Sequence, residues 1–300
     1  MKILNFGSIN IDHVYRVVHF VKSSRTIHCQ SYKTFAGGKG NNQSIALARA
    51  GAEVYHAGLL CVHDKWVREL LSSNGVDTSL IELVDSESGH AIIQVDKKGH
   101  NSKVIYGGAN HEMSVEQIDR AISIFSMEDY LLVQNEINLV DEVIKRGKDA
   151  GMKVVFNPAP INRDVFDYPL RLVDILILNR LEAEELTDER RPGKILKVLA
   201  KQCPNTAVVL NLGEDGAIYT DSVVRVQADT KQEEAVDKTG ASDTFIGYFL
   251  ANFMKGEDIN LCLQQACKAA SVCMGHEGAT GSIPRQEEAA EKAVVTPGPV

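Results

Sequence analysis

The chain has 300 residues, 44% of them hydrophobic, and a formal net charge of -8, which suits one large buried core with a small appendage and excludes nucleic acid as a partner, since no basic run exists to follow a phosphate backbone. No apolar run reaches the ~20 residues of a membrane span, and the opening MKILNFGSINID lacks a charged-then-apolar leader, so a cytoplasmic protein is expected. The six cysteines, Cys29, Cys61, Cys203, Cys262, Cys267 and Cys273, show no C-x-x-C spacing and read as reduced core thiols.

The first strand ends in GSINID, where Asn10 and Asp12 stand two apart and point the same way on an extended chain. They either bind a polyol or form an Asx turn that closes the strand. The segment HVYRVVHFVKSSRTIHCQSYKTFAGG is rich in β-branched and aromatic residues, breaks at Ser23 to Arg25, and predicts strands of a small separate sheet. In AGGKGNNQSIALARAG, Gly37, Gly38 and Gly40 precede a helix with Lys39, Asn41 and Asn42 at its mouth. The nucleotide P-loop pattern fails at Lys33 and Gly40, and the dinucleotide pattern fails at Gln43. What remains is a glycine turn that admits a small polar ligand, with Lys39 and Asn42 as donors, or a plain glycine-rich helix start.

A helix around DKWVRELLSSNG is followed by short strands DTSLIELV, GHAIIQVDKKG and HNSKVIYGG. Helices and strands then alternate: SVEQIDRAISIF, YLLVQ, NLVDEVIKRGKDAG, KVVFNPAP, VDILILN, RLEAEEL, ILKVLAKQ and TAVVLNLG. Continuous apolar strands between amphipathic helices predict an α/β fold, a mostly parallel sheet covered on both faces, with a small β appendage. Ligands of such sheets sit beyond the carboxyl ends of the strands, where Asn157, Asn179, Asn211 and Gly213 fall. Asn179 and Glu182 have capping-box spacing, and Glu182 could also stand near Mg²⁺ through water; the two roles are compatible. LNLGEDGAIY reads as strand, turn, strand, and GAIYTDSVVRVQ as a hairpin. The nine histidines make no metal-binding pair, and no G-x-S-x-G elbow is present. DKTGASDTF then opens the apolar helix IGYFLANFM. Asp243 there either complements the helix dipole or does chemistry beside first-turn N–H groups that Gly240 and Ala241 leave open to an anion. A second helix-like stretch follows, and the tail AVVTPGPV is expected to fray.

In this order GSINID, GGKGNNQ, NPAP, NRLEAE, LNLGEDGA and DKTGASDTF resemble the ribokinase family of PfkB-type carbohydrate kinases, closest to its ribokinase branch, from Ile3 to about Pro284. The resemblance implies a single Rossmann-like domain over residues 1–300 with a β-sheet lid from about 12–35 and 89–106. It implies ATP-dependent transfer of a γ-phosphate to a small sugar such as ribose, with ATP, Mg²⁺ and a monovalent cation such as K⁺. Asn10, Asp12, Gly38, Lys39, Asn42 and Glu136 match sugar-binding positions. Asp243 matches the catalytic base, and Gly240, Ala241 and Ser242 complete the anion hole with it. Asn179, Asn211 and Gly213 match nucleotide-binding positions, with Glu182 beside Mg²⁺. Asp237, Thr239, Cys273, His276, Gly278 and Ser282 match the cation site, largely through main-chain oxygens. Family members pair lid against lid, and Val14, Tyr15, Val17 and Phe35 are expected on that homodimer face.

The chain departs from the family pattern at Lys238, Ser242 and Asn211, and at the lid turn Ser23 to Thr26. A nucleoside kinase, and a sugar-binding regulatory homologue with impaired transfer, are the alternative readings.

Overall fold

The apolar runs YLLVQ, KVVFN, ILILN and AVVLN each become a strand buried on both faces, because helices cover the sheet above and below. The computed structural model describes residues 1–230, 236–276 and 278–291; the tail AVVTPGPV lies outside the described residues. The strands are β1 (Ile3–Phe6), β2 (Asn10–Arg16), β3 (Ser31–Gly37), β4 (Val54–Cys61), β5 (Asp77–Val84), β6 (Gly89–Val95), β7 (Asn101–Tyr106), β8 (Tyr130–Gln134), β9 (Lys153–Asn157), β10 (Ile175–Asn179), β11 (Ala207–Asn211), β12 (Ala217–Thr220) and β13 (Arg225–Ala228). The helices are α1 (Lys39–Arg49), α2 (Lys65–Ser73), α3 (Val115–Ile122), α4 (Val140–Asp149), α5 (Arg180–Thr187), α6 (Pro192–Gln202), α7 (Ala241–Phe253), α8 (Ile259–Met274) and α9 (Gln286–Glu291).

Among the described residues the main sheet runs β13-β12-β11-β10-β9-β8-β1-β4-β5, parallel except for the β12 and β13 edge. One face packs on α1, α7 and α8 through Ile45, Leu47, Phe245, Phe249 and Leu263. The other packs on α3 to α6 through Ile118, Val143, Ile144, Leu186 and Leu199. Strand order reverses between β1 and β8, which opens a crevice beyond their carboxyl ends.

A second sheet, β3-β2-β6-β7, stands beside this crevice. Its inner face and the segments 236–239 and 278–279 enclose a cleft of about 740 Å³, with Asp12, Val14, Lys33, Phe35 and Lys103 on the sheet side. The other face carries an aromatic array: Tyr15 and Tyr32 lie 4.9 Å apart, and His90 and Tyr106 5.1 Å apart, centroid to centroid. Two expectations change here. Val14 and Phe35 belong to the cleft side, and Val17 is buried, so of the residues assigned to a lid-to-lid face only Tyr15 is on it. Five cysteines are buried, but Cys29, in the segment joining β2 to β3, is exposed.

Candidate active site

The two halves of the site meet because α1 and α7 pack unusually closely. A Cβ on Gly247 would lie 2.4 Å from the Ala46 Cβ, so only glycine allows this approach. It brings the first turn of α1 against that of α7. Gly240 caps α7 in the left-handed region at φ 80°, turning the chain into the helix. The N–H groups of Ser242 and Asp243 then have no carbonyl within α7 to meet, whereas Ala241 N–H donates to Lys238 O at 3.4 Å. Asp243 is buried; Asn42 Nδ2 donates to its Oδ2 at 3.0 Å and Gln43 Nε2 to its Oδ1 at 2.9 Å. Of the two departures beside it, Ser242 is half-buried and Lys238 forms an exposed ion pair with Glu214 at 3.6 Å, a contact worth little by itself.

Asp12 points into the cleft from β2, and a Cβ on its neighbour Gly37 would fall 2.4 Å from its carboxyl group. The glycine of β3 is therefore what leaves room for the acid. Burial pushes the Asp12 carboxyl up to about 6; Lys103 opposes this and Glu136 adds to it. Asn10 is buried, its Oδ1 accepting from Asn110 Nδ2 at 2.7 Å, while Asn110 Oδ1 accepts from Ile9 N at 2.9 Å. Glu136, past the end of β8, bridges the crevice: its Oε2 accepts from Ser8 Oγ at 2.5 Å and from Lys39 N at 2.9 Å. Burial works to lower the pKa of the Lys39 ammonium, but the carboxylates of Asp243, Glu136 and Glu182 outweigh it and raise it. Gly38, at φ 91°, is the N-cap of α1.

Asn179 and Glu182 form a complete capping box: Glu182 N donates to Asn179 Oδ1 at 2.9 Å and Asn179 N to Glu182 Oε2 at 2.9 Å. Burial raises the pKa of Glu182, against the opposing Asn179 hydrogen bond and Lys39 charge. Asn211 Oδ1 accepts from Gly213 N at 2.9 Å, shaping the turn after β11. Beside that turn is a shallower pocket of about 610 Å³ lined by Leu212, Ile218, Arg180, Arg225 and Gln227.

The segments around Asp237 and Gly278 come together: Asp237 Oδ1 accepts from Thr239 N at 2.9 Å and Oδ2 from Gly278 N at 3.0 Å. Burial raises the Asp237 pKa, but these backbone donors and the Lys103 charge overcome it and hold the carboxyl low. Cys273 Sγ lies 3.1 Å from Ser282 Oγ. The His276 ring turns back to Val272 O at 3.1 Å, and the His276 backbone N–H donates to Cys273 O at 3.2 Å. Asn110, Gln43 and Ser8 were not singled out as site residues from the sequence, although Ser8 lies in GSINID, Gln43 in GGKGNNQ, and Asn110 follows the glycine pair of YGGAN.

A profile of the family described as pfkB family carbohydrate kinase matches residues 1–286. The chain is 34% identical over 297 residues to the ribokinase of Haemophilus influenzae, covering 95% of this chain and 96% of that one. It is similar to a structure of Arabidopsis thaliana ribokinase complexed with ribose and ATP (TM-score 0.82, 28% identity, 96% and 97% coverage). It is also similar to a structure of ribokinase from Cryptococcus neoformans var. grubii serotype A in complex with ADP (TM-score 0.81, 28% identity, 97% and 98% coverage). With the fold, the crevice and the paired first turns of α1 and α7 in place, this chain belongs to the pfkB family of carbohydrate kinases.

Proposed function

We propose that the protein transfers the γ-phosphate of ATP to a hydroxyl of a small sugar such as ribose, with Asp243 as general base. The observation that carries this reading is a buried carboxylate in the same helical turn as open N–H groups. A base and an anion hole within one helical turn suit in-line phosphoryl transfer, which needs the acceptor positioned and the phosphate charge held by fixed donors. The acceptor hydroxyl would give its proton to Asp243 as its oxygen bonds to phosphorus and the bond to the leaving ADP breaks. Asn10, Asp12, Gly38, Lys39, Asn42 and Glu136 would hold the sugar. Asn179, Asn211 and Gly213, with the pocket beside them, would hold the nucleotide. The ribose and ATP bound by the A. thaliana relative, and the ribokinase name of the H. influenzae one, favour ribose. Assaying ribose, other pentoses and nucleosides side by side with ATP tests this; preference for a nucleoside would replace the sugar reading, and no transfer to any acceptor would favour a regulatory homologue.

Glu182 fits a water-mediated Mg²⁺ partner, since its half-buried carboxylate stands near the second negative charge of Asp243. Bound there, Mg²⁺ would neutralise phosphate charge. The region of Asp237 and Gly278 fits a main-chain-oxygen cation site. Ser282 Oγ has one proton yet faces two acceptors, Gly278 O at 2.5 Å and Ala279 O at 2.7 Å, an excess of oxygen that a cation would relieve. Asp237, Thr239, Cys273, His276, Gly278 and Ser282 would hold K⁺, which would fix the loop carrying the anion hole. Turnover is expected to rise several-fold when potassium replaces a tetraalkylammonium salt at constant Mg²⁺. Equal turnover in both would remove this assignment.

The four-stranded sheet would serve as a lid over the sugar, within a single domain. Its outer face, with exposed Tyr32, Ile92, Val104 and Tyr106, is an apolar patch on a small sheet, and we assign it to a homodimer contact between lids. Light scattering at micromolar concentration is expected to give a dimer, and Val104→Glu a monomer. A monomeric wild-type protein would contradict the assignment.

A further inference from the structure

Asp243 is held from behind by an amide that no sugar or nucleotide role explains. Gln43 is fully buried, and both of its N–H bonds are committed: Nε2 donates to Asp243 Oδ1 at 2.9 Å and to Asn157 Oδ1 at 3.1 Å. Its Oε1 accepts from Gln134 Nε2 at 2.8 Å, and the same Gln134 nitrogen donates to Asn5 Oδ1 at 2.9 Å. Asn5 Nδ2 donates to Ser44 Oγ at 2.8 Å, and Ser44 Oγ meets His56 Nδ1 at 2.8 Å. His56 Nε2 lies 3.1 Å from Gly7 O.

The directions along this chain are forced. Gly7 O can only accept, so His56 carries its proton on Nε2, and Nδ1 must accept from the Ser44 hydroxyl. Ser44 Oγ, having spent its proton, accepts from Asn5. Asn5 Oδ1 then requires a donor from Gln134, and Gln134 in turn orients Gln43 so that its N–H bonds face the carboxylate. Gln134 Oε1 is left buried without a partner. A flip of Gln134 would turn that oxygen onto the oxygens of Asn5 and Gln43 and deprive both of their donor, a larger cost. His56 fits its neutral role, because burial pulls its pKa down to about 4 even against the Gly7 hydrogen bond.

We propose that Gln43 is the positioning residue for Asp243, aimed by the buried chain Gln134–Asn5–Ser44–His56, and that it also ties the base to Asn157 on the nucleotide side. This rests on the kinase reading above. A buried donor on Oδ1 fixes the angle of the carboxylate toward the acceptor. The other groups facing Asp243 are Lys39 and Asn42 on α1, Glu182 on α5 and Cys273 on α8, and none of them contacts Oδ1.

The test compares kcat, both KM values and thermal unfolding for the wild type, Gln43→Met and Gln134→Met. Gln43→Met is expected to lower kcat about 10–100-fold and to leave both KM values within about 3-fold, a split that a loss of folded protein would not give. Gln134→Met, which touches neither Asp243 nor ligand, is expected to lose kcat about 3–10-fold with both KM values kept, and it decides the matter should Gln43→Met fail to fold. An active wild type whose folded variants keep the wild-type kcat overturns the positioning role alone. A wild type inactive on every sugar overturns the kinase reading and this inference with it.

Discussion

Asp243→Asn should leave the fold and ATP binding in place and lower kcat by about 10²–10⁴-fold. The contrast is sharp because the dull role of the residue predicts the opposite. Asn serves at a helix N-terminus nearly as well as Asp, and the amide oxygen could still accept from one of Asn42 and Gln43, which now donate to separate carboxylate oxygens at 3.0 and 2.9 Å. What the amide lacks is the capacity to take a proton. Steady-state kinetics with saturating sugar and ATP, beside nucleotide binding by calorimetry, measure the effect. Turnover near that of the wild type would return Asp243 to a structural part.

Asp12→Ala should raise the sugar KM about 10–100-fold with little change in the affinity for ATP, since a charge-assisted hydrogen bond is worth about 1.5–3 kcal/mol. The same carboxyl gives a pH signature. Its pKa is lifted to about 6 by burial, with Lys103 opposing and Glu136 reinforcing, so as a sugar ligand it would accept hydroxyls above that pH and lose the capacity below it. Sugar KM of the wild type should climb as pH falls through about 6, and the Asp12→Ala profile should be flat there. Stability runs the other way. A carboxyl whose folded pKa exceeds its unfolded value favours folding below the unfolded pKa, and that contribution is lost as pH rises through about 6. The ligand-free Asp12→Ala protein should therefore melt no lower than the wild type at pH 7.5. A sugar KM independent of both pH and Asp12 would leave the residue a member of β2 with no part in sugar binding.

The sheet was legible wherever apolar runs were unbroken, as in ILILN and AVVLN, because burial on both faces writes itself as continuous hydrophobicity. Strand β4 was not read as a strand, for a physical reason: His56 and Gly58 interrupt VYHAGLLC, and both are there for the site, His56 to end the buried hydrogen-bond chain and Gly58 to lie against Gly7 O. The capping box of Asn179 and Glu182 was legible from spacing alone. Convergence was not. Gln43 and Asp243 are 200 residues apart in sequence, and nothing in either segment states that a close α1–α7 contact over Gly247 joins them. Likewise the alternation of β2 shows that Asp12 and Val14 share a face, but only the second sheet's placement shows that this face is the cleft, which removes Val14 and Phe35 from the outer surface.

The most direct measurement is a single turnover with enzyme in excess over ATP, with Mg²⁺, potassium and ribose present, and the products resolved by phosphorus NMR. The account predicts stoichiometric ADP and one sugar monophosphate ester, formed with ribose and absent without it. ADP with inorganic phosphate in place of the ester, or unchanged ATP with every sugar tried, would contradict it.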